Sequence, residues 1–234
     1  MKRSQDRDMM PTQPQDHYAA LHSGFRWQVD EYFNIAEACC RRWAKADGDA
    51  GATGAVGAIK RVAIYAHQER AGATFYTYFQ LQQAADALSH VLTGLGVQRG
   101  DRVAIVMPQR FETAVAYMAV FQVGAVAMPL SMLFGPEALE YRLQDSEAVL
   151  AICDESSIAN VNTIRASCPG LRTVIAAGEA AGQGDVDYAT ALAAQRRAFK
   201  ALKTKADEAA ILIYTSGTTG PPKGALLEIG RAHV

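Results

Sequence analysis

Five short apolar runs separated by helical patterns constrain this chain more than any other feature. They are Arg102–Met107, Ala125–Met128, Ala148–Cys153, Thr173–Ala176 and Ala209–Tyr214. Each is continuous rather than alternating, as a strand buried on both faces requires. Between them lie Glu112–Val123, apolar nearly all round, Pro136–Gln144 with proline in its first turn, Ser157–Ala166 and Tyr188–Arg196. Neighbouring parallel strands need such crossovers, whereas antiparallel ones need only a tight turn. The rhythm predicts an α/β fold: a mostly parallel sheet with helices on both faces.

Upstream, Val29–Trp43 carries Tyr32, Ile35, Ala36 and Cys39 at helical spacing. Ala44–Ala58 reads as a surface loop, and Arg61–Ala66 with Ala73–Thr77 as a strand pair turning through His67–Gly72. Thr77 and Gln80 form a capping box that opens a helix on Leu81, Ala84, Ala85, Leu88 and Leu92. Ala177–Asp187 reads as a linker, and Arg196–Lys205 as a solvated basic connector.

Charge and cysteine usage narrow the function. A net charge of −1 argues against nucleic acid as a partner, and 50% hydrophobic residues argue against wholesale disorder. Cys39, Cys40, Cys153 and Cys168 form no C-x-x-C pair and no zinc-finger spacing, so free thiols in the cytoplasm are expected. The first residues lack an apolar core of a signal peptide, and no apolar stretch approaches the ~20 residues of a membrane span. His17, His22, His67 and His90 have no partner motif, and His90 is expected to face solvent. Asp101 reads as a turn residue, Asp145 and Glu147 as a cap or solvated face, and Trp27, Trp43, Tyr32 and Phe33 as core or contact aromatics. No metal-ligand set and no catalytic acid or base stands out.

Chemistry concentrates after the last apolar run, in Tyr214-Thr-Ser-Gly-Thr-Thr-Gly-Pro-Pro-Lys-Gly224. Glycines let backbone N–H groups converge on an anion, hydroxyls add donors without bulk, and Lys223 adds positive charge. Gly/Thr content alone would fit a solvated turn. The ordered string after a buried strand favours a polyphosphate ligand instead. It is not a Walker A loop, because Lys223 is followed by glycine rather than Ser or Thr.

This segment resembles the phosphate-binding signature of the AMP-forming acyl- and aryl-CoA synthetases, luciferases and peptide-synthetase adenylation domains. Thr77–Leu81, Gly94–Ala104, Gly124–Leu130 and Tyr141–Ala148 agree with it. Phe25–Asn34 and Leu133–Pro136 most resemble acyl-CoA synthetases of short- and medium-chain acids. The resemblance implies residues 25–227 as a partial adenylation domain, the incomplete N-terminal domain of an adenylate-forming enzyme, after an irregular stretch 1–24. It implies ATP, Mg²⁺ and coenzyme A acting with a carboxylic acid, and is compatible with a homo-oligomer of the full-length parent. Thr215, Ser216, Gly217, Thr218, Thr219, Gly220 and Lys223 would hold the ATP phosphates. The family's later elements, among them its adenine, ribose and C-terminal lysine segments, are absent, so the chain alone is expected to be inactive. A non-catalytic nucleotide-binding module and adenylation for a carrier protein are the alternatives. Glu228–Val234 departs from the family continuation, and one back-translation of it resembles a sequencing adapter, so 228–234 is expected to be a non-native tail.

Overall fold

Residues 18–24, 30–44, 61–68, 72–195, 197–215 and 220–230 are described by the structure, a computed structural model. In chain order, α1 (Tyr18–Gly24) is followed by a π-helical turn (Glu37–Arg41) running into α2 (Arg42–Ala44). The hairpin β1 (Val62–Gln68) and β2 (Gly72–Thr77) leads to α3 (Tyr78–Gly94). Then come β3 (Arg102–Val106), α4 (Phe111–Gln122), β4 (Val126–Pro129), α5 (Pro136–Asp145), β5 (Leu150–Cys153) and α6 (Ile158–Ile164). The chain continues through β6 (Thr173–Ala176), β7 (Val186–Asp187), α7 (Tyr188–Ala193), β8 (Ala209–Thr215) and β9 (Lys223–Glu228).

Seven strands form one sheet in the order β7-β6-β5-β3-β4-β8-β9. All its pairings are parallel except β8 with β9. The strand residues alternate between two buried faces. Val103, Ile105, Ala127, Leu150 and Ile152 pack with Leu88 and Leu92 of α3 and Val115, Ala119 and Val120 of α4. Ala104, Val106, Val126, Met128, Ala151 and Cys153 pack with Leu139 and Leu143 of α5 and Ile158, Val161 and Ile164 of α6. Burial on both faces explains why the runs read as continuous rather than alternating. At roughly 1.5–3 kcal/mol for each fully buried Leu, Ile or Val, these two layers dominate the folding energy.

The first helix of the sheet domain starts later than its apolar spacing predicts. Residues 30–34 are non-helical, and Asn34 supplies the reason. Its Oδ1 accepts from the N–H groups of Ala36 and Glu37, while its Nδ2 donates to the carbonyls of Phe121 and Leu202. Tyr32 makes a bridge with Lys205 instead of a helical turn. The capping box is present as expected: Thr77 Oγ1 accepts from Gln80 N–H, and Gln80 Oε1 accepts from Thr77 N–H.

Three further segments differ from expectation. Val186–Asp187 of the expected linker adds an edge strand to the sheet, entered through the turn where Asp185 accepts from Val174 N–H. The basic connector is not simply solvated, because Thr204 is buried and its hydroxyl donates to Phe33 O, while Leu202 N–H donates to Gln122 O. Ala209–Thr215 is not the last strand, since Lys223–Glu228 pairs back on it. Within 228–234, Glu228 faces Ala209, Ile229 N–H donates to Glu208 O and Gly230 N–H to Ala206 O. Tyr18–Gly24 is helical within the stretch read as irregular. Trp27, His17, Arg196 and most of the Ala44–Ala58 loop lie outside the described residues.

Under α3 sits a buried polar layer. Arg41 Nη2 reaches Asp86, Gln122 and the Phe199 carbonyl, and its Nε pairs with Glu37 at 2.6 Å. Gln82 Nε2 donates to Asp86, and Gln122 Nε2 to Ser89. One guanidinium thus ties the π-helical turn, α3, α4 and the segment before β8 together.

Candidate functional site

β8 and β9 bring together the two ends of the glycine- and hydroxyl-rich string. Ile213 faces Ala225, Tyr214 faces Gly224, and Thr215 faces Lys223 across the ladder. Thr215 ends a strand parallel to β4, so it lies at the carboxyl edge of the parallel sheet, where ligands of such sheets bind. Lys223 opens the return strand and is exposed. Gly220 has φ +87°, a conformation that side-chain-bearing residues rarely adopt. Ser216, Gly217, Thr218 and Thr219 lie outside the described residues. Of the expected phosphate-binding residues, the structure therefore juxtaposes Thr215 and Lys223 and places Gly220 between them in the connection.

Gly224 has a different role from the one its place in the motif suggests. A Cβ there would stand 3.0 Å from Leu212 Cδ1 and 3.3 Å from Tyr214 Cζ. The missing side chain makes room for the Tyr214 ring and the Leu212 methyl within the hairpin, not for an anion.

Several contacts hold this hairpin against α5. Tyr214 donates its phenol hydrogen to Asp145 Oδ2 at 2.6 Å, and Tyr141 donates to the Pro222 carbonyl at 3.0 Å. Burial and then the Asp145 hydrogen bond push the Tyr214 phenol pKa well up, so the hydroxyl stays a donor. The Tyr141 and Tyr214 rings meet edge-on, with centroids 6.5 Å apart. Sequence reasoning left Asp145 as a cap or solvated group. Its partner is 69 residues away, and no local pattern signals it.

A second polar cluster lies at the carboxyl ends of β3 and β5. Arg110 pairs with Glu112 at 2.8 Å, with Asp154 at 3.1 Å and with Glu155 at 3.2 Å. Asp154 is buried and also accepts from the backbone N–H and hydroxyl of Ser156. Tyr76 stacks on Phe111 beside it, with ring centroids 4.0 Å apart. The guanidinium is already matched by three carboxylates, so it is not a free anion-binding charge.

The bland assignments can be placed as well. Asp101 Oδ2 accepts from Gln98 N–H in the turn before β3. Glu147, at φ +50°, pairs with Arg102 rather than with Asp145. His90 is half-buried, edge-on to Phe199, where solvent exposure was expected. Trp43, Tyr32 and Phe33 are each more than a third exposed, and Lys203 Nζ lies 3.7 Å from the Tyr32 ring centroid. All four cysteines are free thiols. Among the described residues, no group of three or more His, Cys, Asp and Glu could hold a metal, and no helix is long and apolar enough to cross a membrane.

With this geometry in place, comparison with known proteins gives the class. The model of the AMP-binding enzyme family matches residues 53–233, and the chain belongs to that family. It is 30% identical over 230 residues to an acetyl-coenzyme A synthetase of Novosphingobium aromaticivorans, covering 88% of this chain and 33% of that protein. It is 33% identical over 221 residues to an acetyl-coenzyme A synthetase of Nostoc linckia, covering 88% of this chain and 62% of that one. The chain therefore spans a third and just under two thirds of these relatives. The fold is shared with the anthranilate CoA ligase AuaEII, solved with anthranoyl-AMP, at a TM-score of 0.72 and 22% identity over 86% of this chain and 36% of that one.

Proposed function

We propose that this chain carries the phosphate-binding part of an AMP-forming acid–thiol ligase. In the first step a carboxylate oxygen attacks the α-phosphorus of ATP, the bond to the bridging oxygen breaks, and pyrophosphate leaves. In the second, the sulfur of coenzyme A attacks the acyl carbon, loses its proton, and AMP departs with the mixed-anhydride oxygen. The observation that supports this reading is the Thr215–Lys223 pair, set at the carboxyl end of a parallel strand around a glycine at φ +87°.

In this reading Thr215, Ser216, Gly217, Thr218, Thr219 and Gly220 offer hydroxyl and backbone donors to the β- and γ-phosphates, and Lys223 offers charge. Donors aimed at the leaving group stabilise charge as it develops there. They transfer no proton. Mg²⁺ bound with the ATP would offset phosphate charge, and because Mg²⁺ takes few protein ligands beside the phosphates, it needs no cluster of three carboxylates here. Relatives named for acetate and a fold neighbour holding anthranoyl-AMP support a carboxylic acid as the substrate class.

Calorimetric titration of the 234-residue chain with ATP tests the site. Lys223→Ala removes one charge-assisted contact and is expected to weaken binding about tenfold to a hundredfold. ATP affinity unchanged by that substitution would place the phosphates elsewhere. Supplied with ATP, a carboxylic acid and coenzyme A, the chain by itself is expected to yield no thioester; the 33% and 62% coverage of the relatives supports that. A thioester detected by mass spectrometry would overturn this part of the proposal.

A further inference from the structure

We infer that Tyr141 and Asp145 of α5 are positioning residues that set where Thr215 and Lys223 stand, and so where a polyphosphate is held; this rests on the phosphate-binding reading above. The two hydrogen bonds from α5 land on opposite arms of the hairpin. Asp145 takes the phenol of Tyr214, immediately before Thr215, and Tyr141 reaches the carbonyl of Pro222, immediately before Lys223. Each candidate ligand at the ends of the string is thus tethered through its preceding residue to one helix.

The helix is a firm base for such tethers. Leu139 and Leu143 bury α5 in the core layer that also holds Met128 and Cys153. Arg142, between the two tethering residues, donates to Ala138 O at 2.6 Å, and its guanidinium lies 4.1 Å from the Phe134 ring centroid and 5.6 Å from that of Tyr214. Tyr141 and Asp145 are themselves one turn apart, so both project from the same side of the helix. The geometry at Pro222 also fixes direction. In a trans peptide the carbonyl and the next N–H point opposite ways, so a carbonyl held toward α5 turns the Lys223 N–H away from it. Without these bonds, the hairpin ladder still pairs Thr215 with Lys223, and β4 and the Tyr214 ring contacts still seat β8, but each arm loses its short hydrogen bond to α5 just before the candidate ligand.

The test uses the 234-residue chain, inorganic tripolyphosphate as the probe, and hydrogen exchange of the β8 and β9 amides as a readout independent of the ligand. Tyr141→Phe keeps the ring and loses the donor, and Asp145→Ala loses the acceptor. Each is expected to weaken tripolyphosphate binding about threefold to tenfold and to raise β8 and β9 exchange, leaving β5 exchange and the urea midpoint unchanged. Asp145→Asn keeps an oxygen acceptor for Tyr214 and is expected to restore affinity to within about twofold, which a merely structural loss of fold would not do. Lys223→Ala in parallel separates the two readings. If Lys223→Ala leaves tripolyphosphate binding unchanged, or if the chain binds none, the phosphate-binding reading fails and the positioning claim falls with it. If Lys223→Ala abolishes binding while Tyr141→Phe and Asp145→Ala bind normally, the positioning inference alone is wrong, whether or not exchange rises.

Discussion

Replacing Arg41 by alanine removes the guanidinium that joins four parts of the molecule, and the consequence can be worked from the contacts. Its side chain is 17% exposed and that of Asp86 10%, so the pair is largely withdrawn from water. Among the described residues, the substitution leaves Asp86 with Gln82 as its remaining side-chain donor, and removes a donor from the Gln122 amide oxygen and the Phe199 carbonyl. Removing one partner of a buried pair costs about 3–5 kcal/mol, much of it the burden of the charge left behind. Glu37 is 41% exposed and recovers water, so the lower end of that range applies, about 3 kcal/mol. With a urea dependence of about 2 kcal/mol per molar, the unfolding midpoint should fall by about 1.5 M. Arg41→Lys keeps the charge but not the planar fork, and should lose about half as much. The double variant with Asp86→Ala should be less destabilised than the sum of the singles by at least about 1 kcal/mol. An Arg41→Ala midpoint within about 0.3 M of the parent, or strictly additive singles, would refute the idea that this guanidinium is the tie.

Three other outcomes follow from the same structure. An aromatic disulfide reagent at pH 8 should titrate one thiol quickly, Cys39, and reach all four only in denaturant, because Cys40, Cys153 and Cys168 are buried. Burial pushes Cys40 and Cys153 up to about 12, and a second fast thiol would contradict that packing. Burial works against the charge of Asp185, yet hydrogen bonds from Arg165 and Val174 N–H hold its carboxyl below the usual range. A lowered folded pKa gives stability that is complete above the unfolded value of about 4 and lost as pH falls through the folded one. Asp185→Asn should therefore flatten the fall in midpoint below about pH 4, and an unchanged acid limb would sink the assignment. Gly224→Val should destabilise the β8–β9 hairpin by about 1–3 kcal/mol through contact with Leu212 and Tyr214, read as faster exchange of its amides; parent-like exchange would show that the site has room.

How much of this was legible in the sequence depends on the range of the interactions. Strands β3, β5 and β6 and helices α3, α4 and α5 follow from apolar runs and a capping box, signals carried within a dozen residues. The misreadings share one cause. The apolar spacing of Val29–Trp43 suits a helix, but Asn34 stops it by reaching Phe121 and Leu202, 87 and 168 residues away. Val186–Asp187 has too few residues to show a period, and it becomes a strand only because β6 offers an edge. Thr204 looks like one more polar residue in a basic run until Phe33 accepts its hydroxyl. Local chemistry states what a segment can do, and distant partners decide which option is taken.

The phosphate string shows the same division within a single motif. Its composition is local and by itself fits a solvated turn; the ordered string after a buried strand is what points to an anion. What fixes Thr215 and Lys223 in space is not in the string: it is the register with which β9 returns along β8, and the two side chains of α5 that meet its shoulders. Gly224 makes the distinction concrete. Read within the motif it is one more flexible residue for a ligand to approach, yet its missing Cβ is required by Leu212 and Tyr214 inside the hairpin. A glycine kept for packing and a glycine kept for an anion predict different substitution results. Alanine at 224 should disturb hairpin exchange first and tripolyphosphate affinity only through it, whereas alanine at Gly220, where φ is +87° and no atom of the described residues beyond its chain neighbours lies within 4 Å of the added Cβ, should act through backbone conformation. On the proposed reading the motif divides into residues that would present donors and residues that hold the strands carrying them, and only the first kind can be recognised without the fold.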